Sequence, residues 1–507
     1  MRVAFFFQIR IPHSAFHIPY GGRMVLSQLL LVPLLGILAV LVMPRKAERA
    51  IQAMATLATA LVLLLSLRLL CAFQPASGIQ FEERLVWIPQ LNVFYHLGVD
   101  GVSLPMVLLT SLLGFLACLA SWSIPERKKE YFILYLLLEV GMLGTFVALD
   151  LFLFYVFWEV VLVPMYFLIG IWGGGRREYS AFKFFVYTLA GSLAMLLGIL
   201  ALYLRAHTFD LLALAQMGHT LDAGFQRLLF VAFFLGFAIK VPVFPFHTWL
   251  PDAHVDAPTP ISVLLAGVLL KMGGYGFFRI SYPLFPEGAQ WFAPAMALLG
   301  MVNIVYGAFV AMAQTDFKRL VAYSSVSHMG FVLLGLSSFT PEGMNGAYLQ
   351  MFNHGIITGG MFLLVGVLYD RTHTRQLDAF GGLGARLPVY AGILTLFSLA
   401  SLGLPGLSGF VSEFLSLVGT FGAHRILTAV SVVGIVVTAA YMLTVLQRVL
   451  LGPLNEQWTH LSDMNRRELV SLVPLLVIIL IVGLYPLAML RLQDPSIQAL
   501  IEHVTKL

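Results

Sequence analysis

Apolar runs of about 17 to 25 residues recur along the whole chain, and each matches the roughly 30 Å hydrocarbon core of a bilayer crossed by a helix. About fourteen such runs can be placed, near 25–43, 51–73, 101–123, 131–149, 151–172, 183–204, 226–246, 258–279, 291–313, 318–338, 345–369, 388–420, 426–450 and 469–491. Hydrophobic residues make up 59% of the 507 and charged residues only 11%, a balance foreign to soluble proteins. The expected fold class is an all-α polytopic membrane protein. Residues 1–23 contain two prolines and no small-residue cleavage site before the next apolar run, so they read as an N-terminal extension, with Met24 as an alternative start.

The connecting loops alternate in basic content. Arg45, Lys46 and Arg49, then Arg127, Lys128 and Lys129, then Arg176 and Arg177, then Lys318 and Arg319, then Arg371, Arg375 and Arg386, then Arg448, Arg466 and Arg467 mark one side. That side is cytoplasmic by the positive-inside rule, and an even count of spans then puts both termini outside. The net charge of +5 is thus distributed by membrane side and makes no case for nucleic acid. One cytoplasmic connection breaks the pattern: PDAHVDAP, after residue 250, has two aspartates and no basic residue.

Within the apolar runs a few ionisable residues stand out. Lys240 lies in LFVAFFLGFAIKVPVFPF, where Pro242 and Pro245 remove two amide donors and force the helix to break. A lysine at the centre of a span costs roughly 2.5 to 3.5 kcal/mol, and broken backbone at that depth survives only inside protein or along a wet path. A snorkelling lysine is the plainer alternative, but apolar residues follow Lys240 as well as precede it. Glu159, in LFLFYVFWEVVLVPMYF, is its natural partner, because an opposite charge within about 4 to 6 Å keeps both ionised. Lys271, His328, His354 and Glu413 complete a row of residue types able to pass protons, while a hydrogen-bonded core role is an equal reading of each histidine alone. Glu139 is one more acid inside a span.

A faint repeat at a separation of roughly 166 to 173 residues relates YTLAGSLAMLLGILALY to TGGMFLLVGVLY, and Asp150 to Asp316. The shift is five spans. Because five is odd, the copies are inverted in the bilayer, as in secondary transporters. The shift also carries the Lys240 break onto SLGLPGLSGFVSEF, just before Glu413, and paired interrupted spans mark a transport path. His247, Asp252, His254 and Asp256 have metal-ligand chemistry, but they lie in a Pro- and Ala-rich loop without a distal ligand, so capping or loop ordering accounts for them as well. Cys71 and Cys118 are too few for an iron-sulfur cluster and read as small core residues.

The runs FYVFWEVVLVPMYFLIGIWG, KVPVFPFHTWLPDAHVDAPTPISVLLAGVLLKMGGYGFFR and DFKRLVAYSSVSHMGFV, the HLGVDGVSLP stretch and the Glu413 segment together resemble one family over essentially residues 24–507. It is the chain M family of antiporter-like, proton-pumping membrane subunits of bacterial NADH:quinone oxidoreductase, respiratory complex I. The resemblance implies fourteen transmembrane helices, two inverted five-helix repeats and discontinuous helices 7 and 12. It divides the chain into helices 1–3 (24–130), a first repeat (131–285), a second repeat (286–455), and helix 14 with a tail (456–507). It implies proton translocation through Glu159 and Lys240 as an interacting pair, Lys271 as the connecting residue, Glu413 on the exit side, and His328 and His354 in the axis. Glu139 is assigned no role by it. It further implies no cofactor on this chain, with NADH, FMN, iron-sulfur clusters and quinone on partner subunits. The implied partners are the other membrane subunits, especially two more antiporter-like ones, together with the quinone pool and the bilayer, in the bacterial cytoplasmic (inner) membrane.

Magnitudes favour a charge-pair switch. One proton moved against about 150 to 200 mV costs roughly 3.5 to 4.6 kcal/mol. One ion pair at about 4 Å is worth approximately 4 kcal/mol at an effective dielectric of 20. Two rival functions share the apolar pattern: a subunit of a multisubunit cation/proton antiporter, and a scaffold that only holds other membrane subunits.

Overall fold

The computed structural model describes residues 24–506, so the expected extension at 1–23 lies outside the described residues. Apolar composition dictates the architecture: a helix satisfies its own amides and is therefore the form a chain takes in hydrocarbon. Among the described residues thirteen helices are long and apolar enough to span a membrane. They include α1 (Val25–Val42), α2 (Glu48–Ala72), α3 (Leu104–Ala120), α4 (Lys128–Val147), α5 (Leu151–Trp172), α6 (Arg177–Ala206) and α7 (Ala223–Lys240). After the eight-residue α8 (Trp249–Asp256) come α9 (Thr259–Leu284), α10 (Pro286–Met312), α11 (Phe317–Leu336) and α12 (Pro341–Thr372). A fourteenth crossing is split into α13 (Pro388–Ser401) and α14 (Ser408–Phe421), followed by α15 (Arg425–Leu450) and α16 (Arg466–Leu484).

Three features depart from the sequence expectations. The run expected at 469–491 ends at Leu484, and beyond Pro486 a separate helix, α17 (Leu487–Thr505), begins. Polar residues hold α17 against neighbouring segments: Gln493 Nε2 donates to Asn345 O at 2.9 Å, and Gly101 N donates to Ser496 Oγ at 3.0 Å. The connection before α3, which carries Glu82, Glu83 and Asp100, forms an antiparallel hairpin, β1 (Gln80–Ile88) and β2 (Val93–Val99), in a chain expected to be all-α. Its Glu83 carboxylate accepts from Leu26 N (2.8 Å), Ser27 N (3.0 Å) and Ser27 Oγ (2.5 Å), so it caps α1, whose own N-cap Met24 has no side-chain acceptor. Cys118 is buried as expected, whereas Cys71 is exposed.

Backbone details recur at a spacing of 166 residues. Asp150 pairs in a lone bridge with Asp210, and Asp316 does so with Gln376. Asp150 and Asp316 each cap the helix that follows, and His207 and His373 each end a helix with left-handed backbone. These positions match the shift read from the sequence.

Close packing of α10 on α11 positions the centre of the protein. A Cβ at Gly330 would lie 2.7 Å from Gly300 O, and one at Gly300 would lie 2.9 Å from Gly330 O. Small residues at a crossing let two backbones touch, which is how helices associate in lipid. We expect Gly330→Leu to separate these helices at a cost of about 1–3 kcal/mol or more, read as a lower melting point of the detergent-solubilised protein.

Candidate functional site

The first helix break follows from the prolines after Lys240. α7 ends at Lys240, Val243 N reaches back to Ala238 O at 2.8 Å, and the chain resumes as α8 only at Trp249. The freed groups are met by side chains. Asn303 of α10 accepts from Phe244 N at 2.8 Å and donates to Pro242 O at 3.1 Å, while Trp249 Nε1 donates to Ile239 O at 2.9 Å. The four residues His247, Asp252, His254 and Asp256 thus lie at or in a short helix rather than in the expected loop. Asp252 receives Lys183 at 2.7 Å and stands 3.8 Å from both Arg176 and Arg319, so cations from neighbouring helices balance the acidic connection. Asp256 accepts from Ser180 Oγ at 2.5 Å, and His254 stacks on Phe362 at 4.4 Å. Among the described residues no three His, Cys, Asp or Glu side chains gather as a metal site.

Lys240 is 1% exposed and its ammonium has no hydrogen-bond partner. It lies 5.2 Å from the centroid of Trp158 and 5.6 Å from that of Phe184, distances at which an aromatic face attracts a cation. Glu159, next to Trp158 on α5, also leaves Oε1 unpartnered. The expected ion pair is therefore open in this structure, with aromatic rings flanking the lysine where a carboxylate was expected. Gly273 lets α9 approach the break: a Cβ there would lie 2.7 Å from Phe237 O and 3.0 Å from Lys240 Cβ.

Lys271 is fully buried on α9 between two π-helical turns, Leu265–Leu269 and Phe277–Ser281. Such turns displace backbone carbonyls from the regular ladder, and Lys271 Nζ donates to one of them, Ala266 O. The same ammonium lies 2.6 Å from His354 Nδ1 on α12. The rings of His354 and His328 are 5.6 Å apart. His328 Nε2 donates to Ser401 O at 2.9 Å and lies 3.6 Å from Glu413 Oε1. A cavity of about 10 Å³, the room of one water, is bounded by His328, Gln350, His354, Ser401 and Glu413. The structure thus joins Lys271, His354, His328 and Glu413 in one contiguous polar line, and places Lys240 and Glu159 beside it without a direct hydrogen bond.

The second break, between α13 and α14, turns through left-handed Gly403 and Gly406, positions a side chain would strain. Asn353 Nδ2 donates to Ser408 O at 2.7 Å and to Ser412 Oγ at 3.1 Å, and Ser412 Oγ donates to Gln350 Oε1 at 2.5 Å. Asn303, Gln350 and Asn353 were not singled out in the sequence. Their signal was present as lone amides inside apolar spans, where a polar side chain needs a partner.

Residues 148–438 match the family described as NADH:quinone oxidoreductase/Mrp antiporter, TM. The chain belongs to this family. The NADH-quinone oxidoreductase subunit M of Rhodobacter capsulatus is 47% identical over 470 residues, covering 90% of this chain and 91% of that one. The subunit of the same name from Rickettsia conorii is 41% identical, covering 94% and 98%. Among solved structures, respiratory complex I from Thermus thermophilus with bound NADH contains a chain that superposes with TM-score 0.87 at 34% identity, over 95% of this chain and 100% of that one. A chain of the Mrp complex from Dietzia sp. superposes at 0.83 with 21% identity, a likeness of fold. The fold is that of an antiporter-like subunit of this family.

Asn303→Leu leaves the Phe244 amide and Pro242 carbonyl unpaired in the interior, at an expected cost of about 1–3 kcal/mol. The loss is measurable as a lower melting temperature and faster proteolysis at the 241–248 turn.

Proposed function

We propose that this chain is a proton-translocating membrane subunit of NADH:quinone oxidoreductase, respiratory complex I, in the bacterial cytoplasmic (inner) membrane. Quinone reduction on partner subunits drives proton transfer here, and no electron crosses this chain. NADH, FMN, iron-sulfur clusters and quinone belong to those partners. Its neighbours are the other membrane subunits, including two more antiporter-like ones. The working units are two inverted five-helix repeats, 131–285 and 286–455.

The observation that carries the reading is the buried contact series Lys271, His354, His328, Glu413, with Lys271 Nζ 2.6 Å from His354 and His328 3.6 Å from Glu413. A proton on Lys271 has an acceptor in His354 Nδ1. The small cavity has the room for one water to bridge the histidines and Glu413 at the second break. Glu159 and Lys240 supply the switch: closing their pair holds a proton on Lys240, and opening it, as in the arrangement seen here, frees that proton for Lys271. Curated relatives matched over nine-tenths of the chain are oxidoreductase subunits, so the cation/proton antiporter reading is the weaker one.

In inverted vesicles, Glu159→Ala in an assembled complex is expected to lower NADH-driven proton uptake at least about tenfold, since a positioned acid-base group contributes about 10²–10⁴-fold. Full uptake in that variant would point to a scaffold. Lys240→Met is expected to lower the protons moved per NADH oxidised, and an unaltered ratio would sink the switch.

A further inference from the structure

Glu139 is a buried carboxyl that the polar line does not use. It sits eleven residues into α4 from Lys128 at the basic rim, about 16 Å along the axis at 1.5 Å per residue, near the mid-depth of the bilayer. It is 0% exposed, and neither carboxyl oxygen has a hydrogen-bond partner among the described residues. Helix α3 makes room for it with a glycine, since a Cβ at Gly114 would lie 2.6 Å from Glu139 Oε1.

The face of α4 that carries Glu139 also carries Tyr135 and Tyr131, one and two turns nearer the cytoplasmic rim. Tyr135 OH donates to Gly114 O at 2.5 Å, and Tyr131 OH is 2.9 Å from Ser121 Oγ. Cys118 Sγ lies 3.7 Å from Thr56 Oγ1, which accepts from Trp122 Nε1 at 2.9 Å. Polar groups of α2, of α3 and the turn after it, and of α4 thus line the region between the basic rim and Glu139, and Tyr135 and Glu139 both meet α3 at Gly114. On the other side of α3, leucines pack where Lys271 and His354 begin. A Cβ at Gly267 would meet Leu113 at 2.3 Å, and one at Gly355 would meet Leu109 at 2.7 Å. Those glycines adjoin Ala266, the acceptor of Lys271, and His354 in sequence.

An ionised carboxylate with no donor in this interior is far costlier than the neutral acid. We propose that Glu139 is an additional proton-storing group, loaded from the cytoplasmic side along the Ser121, Tyr131 and Tyr135 hydroxyls, that supplies Lys271 across the Leu109 and Leu113 layer. On loading, cytoplasmic water gives up a proton and an O–H bond forms on the carboxylate. On delivery that bond breaks, and the proton adds to the neutral amine of Lys271 through water admitted when the leucine layer parts. The inference rests on the proton-translocating reading above.

Redox-induced infrared difference spectra of the assembled complex, with proton uptake per NADH in vesicles, test it in Glu139→Gln. The expected result is a carboxylic-acid C=O band present in the wild type, absent from Glu139→Gln, and a reduced number of protons per NADH. Identical difference spectra, or an unchanged proton ratio, would overturn it. Failure of Glu139→Gln to assemble would also overturn it, because glutamine reproduces the shape and neutrality of the resting acid. Lys271→Met separates the two proposals. If that variant stops pumping while Glu139→Gln is silent, only this inference falls, whereas full pumping in Lys271→Met removes the axis on which both rest.

Discussion

Every backbone group released inside hydrocarbon must be taken up by protein, and the arrangement of the core follows from that demand at two helix breaks. At the first, Pro242 and Pro245 end α7, and Asn303 and Trp249 take up the groups set free. At the second, Gly403 and Gly406 turn the chain, and Asn353 reaches the Ser408 carbonyl. Each break needs amide side chains from neighbouring spans, so α10 and α12 are held close to it. Lys240 and Glu413 lie at these two interruptions, where the amide side chains already bring neighbouring spans together.

The central line is built from unlike local devices that converge. Lys271 is oriented by a displaced carbonyl at a π-helical turn and His328 by the last carbonyl of α13, while Glu413 is carried in the second turn of α14. The Lys271 contact lies within α9, whereas those to His354 and from His328 to Ser401 cross between helices. A small movement of α14 against α11 would alter the distance between His328 and Glu413, and a movement of α5 against α7 would close or open Glu159 and Lys240. Closing that pair is worth approximately 4 kcal/mol at 4 Å, comparable to the cost of moving a proton against the membrane potential.

Both ends of the helices are fastened by charges and caps. Glu83 from the hairpin caps α1, while Lys129 donates to Leu41 O and Met43 O, both at 2.7 Å, at the other end of the same helix. A short acidic helix on the basic side is balanced by Lys183, Arg176 and Arg319. These contacts explain why loops that look merely charged in the sequence have well-defined positions.

What the sequence determined by itself was the succession of apolar spans, the break after Lys240 and the identity of the ionisable residues in the spans. These are local properties: span length, proline chemistry and the cost of a charge in hydrocarbon are legible one segment at a time. Only the tertiary structure decided that Lys271 meets His354, that Lys240 lies by Trp158 and Phe184 with Glu159 unpaired, and that Glu139 faces a glycine on α3. It also decided that residues 487–505 form a helix of their own beyond α16. Those outcomes depend on which helices touch, and in lipid that is set by small-residue crossings and lone amides. Their partners lie tens to hundreds of residues away, beyond the reach of any local pattern.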